Sequence, residues 1–156
     1  MVIGEQPGDR EDLEGRPFIG PAGQLLDRAL DEIGLDRNAL YVTNAVKHFK
    51  FELRGKRRLH ARADAAEQRA CRPWLDRERA RLKPAVIVCL GAMAAKSVFG
   101  STFGLMRERG RWHALGDGTR AFATVHPSWV LRQRGDEDRA AAYQEFVADL
   151  SLLKDV

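Results

Sequence analysis

Residues 85–91, Ala-Val-Ile-Val-Cys-Leu-Gly, carry no polar side chain. A strand with one wet face alternates apolar and polar residues. A strand with none is covered on both sides, as the central strands of parallel sheets are. Working outward, Gly91 opens a short helix expected to reach Phe99. Upstream, Asp64 and Glu67 have capping-box spacing and start a helix expected to end near Leu82, with Pro73 as a kink inside it. Downstream, Ala121–Val125 is a further core strand ending at His126-Pro127-Ser128. A last helix is expected over 136–153.

Towards the start, Val2–Ile3 begins a short buried strand that turns at Gly4-Glu5-Gln6-Pro7-Gly8. Residues 9–20 read as a loop, punctuated by Gly15, Pro17, Gly20 and Pro21. Leu25, Leu26, Ala29, Leu30 and Ile33 give a helix over 22–33 its apolar face. Leu40–Thr43 is a strand, and 44–63 a basic connection. Residues 105–114 read as extended and peripheral. The order alternates strand and helix throughout. It predicts an α/β fold of three layers, α/β/α, around a central, mostly parallel four-stranded sheet in one domain over 1–156.

Open sheets of this kind carry their sites beyond the carboxyl ends of the strands. Three polar groups fall there: Glu5-Gln6 after the first strand, Asn44 after the second and His126 after the fourth. The charge points to a partner. Of a net +4, the stretch 47–62 supplies seven Lys/Arg against Glu52 alone. A single basic patch on an otherwise slightly acidic chain is the footprint of nucleic-acid binding. No apolar run approaches a membrane span. The opening MVIGEQ reads as a strand and not as a signal peptide. Two cysteines make no disulfide framework and fit a reducing compartment. The Arg- and Ala-rich composition points to a high-GC bacterium. The expectation is a cytoplasmic, DNA-associated monomer.

The pieces G4-E-Q-P-G-D9, P17-F-I-G-P-A-G23, T43-N-A-V-K47 and H126-P-S128, in this order and each at an expected strand end, resemble the uracil-DNA glycosylase superfamily near its family 4 branch. K47-H-F-K-F51 and K56-R-R-L-H60 resemble its UdgX type, which stays covalently bound to DNA through the loop histidine. The resemblance covers nearly the whole chain. It implies a repair hydrolase that removes uracil from DNA, with Phe18 stacking on the base and Asn44 pairing with its O4 and N3–H edge. His126 would stabilise the departing anion at O2. Glu5, Gln6 and Asp9 would lie near the sugar, where a carboxylate stabilises positive charge or orients water and Gln6 excludes or positions it. His60 would capture C1′, with Glu5 accepting its other N–H. Lys56, Arg57 and Arg58 suit backbone phosphates. Single-stranded DNA is the expected substrate, because extrusion costs less there. Ordinary turnover and non-catalytic binding of uracil-DNA are the alternatives.

The resemblance also implies a [4Fe–4S] cluster. Its expected ligands here are His48 and Cys71, half of a coordination sphere. The other two would come from a Cys-x-x-Cys upstream of the first strand, which this chain lacks. That leads to the expectation of a chain lacking an N-terminal segment and binding the cluster poorly. Cys89 belongs to the core strand.

Overall fold

The computed structural model describes all 156 residues. Seven strands and seven α-helices follow in chain order. They are β1 (Val2–Gly4), α1 (Asp9–Glu14), α2 (Pro21–Glu32), β2 (Val42–Asn44), β3 (Phe51–Arg54), β4 (Arg57–His60), α3 (Ala65–Leu82), β5 (Val86–Leu90), α4 (Ala92–Phe99), α5 (Leu105–Glu108), β6 (His113–Ala114), β7 (Arg120–Thr124), α6 (Pro127–Leu131) and α7 (Asp136–Leu150). The main sheet runs β2-β1-β5-β7-β6. Its first four strands are parallel, and β6 joins β7 antiparallel.

The apolar run 85–90 is central, as expected. Val88 and Leu90 of β5 face a cluster with Phe122 and the inner sides of α2, α6 and α7. Ile87 and Cys89 face the other cluster, with Leu75 of α3 and Ala94 and Ala95 of α4. Burial on both faces is why the strand tolerates no polar residue. Burial also pushes the Cys89 thiol well above its usual range, so it stays a protonated packing group. The three layers are those expected. No helix is long and apolar enough to cross a membrane.

Four segments differ from the sequence expectation. The sheet has five strands, not four, because residues 105–114 form the single turn α5 and then the two-residue edge strand β6. Residues 9–14 are helical. Three acids in the first turn suit the helix dipole, Glu11 caps the Gly8 N–H, and Gly15 closes the helix at φ +65. The last helix ends at Leu150, and a 3₁₀ turn covers Ser151–Asp155. The basic connection folds into the β3–β4 hairpin. Its turn is Gly55-Lys56, with Gly55 at φ +59 where a type II′ turn places glycine. The Asp64 cap of α3 forms as read, accepting the Ala66 and Glu67 N–H groups.

The loop before α2 is built around close approach. Phe18 takes φ +55, a strained angle for a bulky residue. A Cβ on Gly23 would lie 1.8 Å from the Phe18 carbonyl oxygen. Gly23→Ala is therefore expected to lower stability by about 3 kcal/mol, the upper end for overpacking, since backbone cannot swing aside. Urea unfolding measures this. A change below about 0.5 kcal/mol, the size of an ordinary surface substitution, would mean that the loop yields freely.

Candidate functional site

Strand β1 connects to β2 on one side, while β5 enters on the other. The order of the sheet thus reverses between β1 and β5, the point where such sheets bind ligands. A cleft of about 900 Å³ opens there, and Glu5, Gln6, Asp9, His60 and His126 all line it. Phe18 and Asn44 pack together beneath, on Gly4. A Cβ at Gly4 would meet Asn44 Oδ1 at 2.4 Å and the Phe18 ring at 2.5 Å. Only glycine lets all three groups converge. The Phe18 and His126 rings are stacked, 5.6 Å between centroids.

Each polar group has a definite environment. Glu5 projects over the N-terminus of α4 and accepts the Met93 N–H at 2.9 Å. Gly91 makes room for it, since a Cβ there would lie 2.5 Å from Glu5 Oε1. Asn44 is buried, and its Oδ1 has no hydrogen-bond partner. An unpaired buried acceptor costs about 1–3 kcal/mol in the free protein. His126 caps α6, its Nδ1 accepting the Ser128 N–H at 3.1 Å. The proton is therefore on Nε2.

Burial, then the charges of Arg132 and His60, push His126 down from 6.5 to about 4. In the unfolded chain its imidazole titrates near 6.5. Between these values the unfolded state binds a proton that the folded state refuses. Stability is then full above pH 6.5 or so and falls as pH drops towards 4. Urea midpoints should fall across that window in the native chain and more gently in His126→Gln. Equal slopes would assign the effect to other groups.

The hairpin carrying His60 is tied down at two places. Gln6 donates Nε2–H to Ala61 O at 3.0 Å and accepts the Ala63 N–H at 2.8 Å, so both ends of its amide hold the segment after His60. Arg58 pairs with Asp9 and, at 3.5 Å, with Asp12 of α1. Its guanidinium also lies over the rings of Phe49 and Phe51. Asp12 in turn accepts the Phe49 N–H at 3.1 Å. The ring of His60 stands 5.9 Å from that of Phe49. Of the three bases expected at phosphates, Lys56 and Arg57 are exposed at the tip, and Arg58 is turned inward. No hydrogen bond joins Glu5 to His60. The expected contact between them is absent because the Glu5 carboxylate is held at α4.

Sequence reading missed Asp12 and Arg132, and it quoted Ser128 in the H126-P-S128 motif without giving it a role. Ser128 and Arg132 have a visible signal, their i, i+4 spacing from the first turn of α6 to its C-cap.

The cluster implied by the resemblance takes four ligands. Cys71 is buried and its Sγ accepts the Lys47 N–H at 3.4 Å. The neighbouring His48 is exposed. No three His, Cys, Asp or Glu side chains gather anywhere to hold a metal. The residues present do not form the cluster site by themselves.

Fold and cleft together define an α/β protein with a cleft at the carboxyl ends of its parallel strands, an aromatic ring and an amide packed beneath it and a basic hairpin beside it. The profile of the uracil DNA glycosylase superfamily matches residues 1–151. The chain is 37% identical to the type-4 uracil-DNA glycosylase of Sulfurisphaera tokodaii over 139 residues, 84% of this chain and 60% of that protein. It is 34% identical to the type-4 enzyme of Thermotoga maritima over 155 residues, 99% of this chain and 77% of that protein. For the type-4 enzyme of Pyrobaculum aerophilum the identity is 34% over 160 residues, 97% and 74% of the two lengths. The chain belongs to the uracil-DNA glycosylase superfamily. It spans about three fifths of the length of the Sulfurisphaera protein.

Proposed function

We propose that this protein excises uracil from DNA and then bonds the abasic sugar to itself through His60. The observation that carries the reading is the buried, unpartnered Asn44 Oδ1 beside Phe18. A uracil stacked on Phe18 offers N3–H to that oxygen and O4 to the amide NH₂. Cytosine offers an acceptor at N3 and a donor at C4, so both pairings fail and buried groups are left unsatisfied. His126 Nε2–H suits O2, where negative charge grows as the bond breaks, and stabilising such charge usually contributes more to catalysis than any other single effect.

The C1′–N1 bond breaks with its electron pair leaving on uracil. Glu5, at the cleft wall, offsets the positive charge on the sugar. A lone pair of the His60 imidazole then forms the N–C1′ bond. The ring's other N–H proton is lost to the Glu5 carboxylate or to water, and a proton from water completes free uracil. The product has no ready leaving group, so each molecule acts once. Lys56 and Arg57 suit phosphates flanking the base. Single-stranded DNA is the better substrate, because the base need not leave a duplex.

A second reading is ordinary turnover. It is favoured by the lack of a Glu5–His60 hydrogen bond and by the type-4 enzymes among the relatives. The deciding experiment mixes the chain with a labelled single-stranded oligonucleotide holding one uracil, then heats in SDS beside an alkali-treated aliquot. A heat-stable shifted band, absent with thymine, is expected. Alkali-cleavable product with no shifted band would leave an ordinary glycosylase. Absence of both signals would sink the enzyme reading.

A further inference from the structure

His126 Nδ1 faces two donors, not one. Besides the Ser128 N–H, Ser128 Oγ lies 2.8 Å away. Arg132, one turn further on, donates Nη1–H to the same Oγ at 2.9 Å. A hydroxyl oxygen that accepts from a guanidinium keeps its own hydrogen to give. Here that hydrogen points at Nδ1. Protonating Nδ1 would set one N–H against another and force the hydroxyl to turn away.

We propose that Arg132, acting through Ser128 Oγ, is a positioning residue that holds His126 neutral with its proton on Nε2, aimed at the base. The inference rests on the reading of His126 as the donor to uracil O2. Arg132 need not touch the base to act. Its charge also opposes a second positive charge on the ring, since the two groups share the cleft wall.

The other charged or titratable groups facing the cleft are Glu5 after β1, Arg10 and Glu11 on α1, and His60 and Arg62 at the hairpin. Asp9 also lines it but is paired with Arg58. None of these is hydrogen-bonded to His126 or to Ser128. Arg132 alone is linked to the ring through a side-chain chain of hydrogen bonds, so its removal should be felt most directly.

The sign of the effect is fixed. Without the guanidinium the imidazolium is easier to form, so His126 should titrate at a higher pH. If the neutral ring is the working form, the acid limb of uracil release should move up with it. Ser128→Ala keeps the backbone N–H but breaks the link, and should have the same effect.

The test uses the whole chain with ¹⁵N-labelled histidine, assigned with His126→Gln. The His126 midpoint is read by NMR in the native chain, Arg132→Gln, Ser128→Ala and the double variant. The pH profile of single-turnover uracil release is measured on the same four proteins. Arg132→Gln is expected to raise the midpoint by about one pH unit, the lower end for a neighbouring charge. Ser128→Ala should raise it too, and the double variant by less than the sum, as for groups in one network. The acid limb should follow.

An unchanged midpoint in Arg132→Gln overturns the inference. Strict additivity overturns the route through Ser128. A midpoint that moves without the acid limb overturns the link to the reaction. Midpoints that move as expected while no variant, nor the native chain, releases uracil would support the positioning of His126 and remove the glycosylase reading itself.

Discussion

Replacing His60 with serine is expected to abolish the SDS-stable adduct while uracil release continues. The imidazole belongs to β4, where His60 pairs with Phe51 and its ring stands against Phe49. Gln6 fixes the backbone just beyond it, and Arg58 fixes the strand just before it. A nucleophile held this way near C1′ gains an effective concentration far above that of a free imidazole, at least about 10⁵ M in well-oriented cases. Serine is shorter, and its hydroxyl is a poor nucleophile without a base beside it. Water then takes the sugar cation, and the protein turns over. The shifted band should fall at least about 10²-fold, with release within about tenfold of the native rate, because general acid–base or nucleophilic help of this kind is worth about 10² or more. A shifted band of native intensity in His60→Ser would mean that another side chain forms the bond. Gln6→Ala separates positioning from chemistry. It should lower the adduct in favour of alkali-cleavable product, with uracil release little changed. If both fell together, Gln6 would belong to the base-removal step.

That hairpin was the least legible part of the chain. Phe51-Glu-Leu-Arg54 alternates apolar and polar residues, but over four positions only, inside a run of bases, and all four are exposed, so no buried face sets it apart from a solvated connection. What holds it is long-range: a glutamine from the loop after β1, two aspartates from α1 and a guanidinium over two rings. None of these leaves a local periodic trace. Helix α1 escaped for the same reason, since it buries none of its residues. Strand β6, at two residues, is too short to carry a pattern. By contrast β5 was plain, because burial on both faces forces an unbroken apolar run. The strand ends were legible too, since parallel strands deliver their next residues to one edge of the sheet. This is how Glu5, Gln6 and His126 come to share a cleft. Direction was not legible. Within Lys56-Arg57-Arg58 the sequence cannot say which base turns inward. An exposed Arg132 at a helix end reads as ordinary solvated charge until its bond to Ser128 is seen.

Asn44→Ala is expected to lower the single-turnover rate of uracil release by about 10²–10³, the loss typical for one donor to a developing charge or base edge in an enclosed site. Its effect on stability should run the other way. Asn44 is 6% exposed, and its Oδ1 has no partner within the protein. Removing an unsatisfied buried acceptor relieves a penalty of about 1–3 kcal/mol, while the lost side-chain packing offsets part of it. The net change should lie within about 1 kcal/mol of zero, and on the stabilising side if Phe18 settles into the space. A group retained for folding behaves in the opposite manner, since its loss lowers stability and activity together. A group retained for a ligand sets the two apart, because the protein carries it at some expense until the ligand arrives. Urea unfolding and single-turnover release, measured on the same preparation, separate the cases. Stability lowered by several kcal/mol alongside activity would make Asn44 a structural turn residue and would take away the observation on which recognition of uracil rests. Native stability with uracil release cut a hundredfold would place the amide at the base edge.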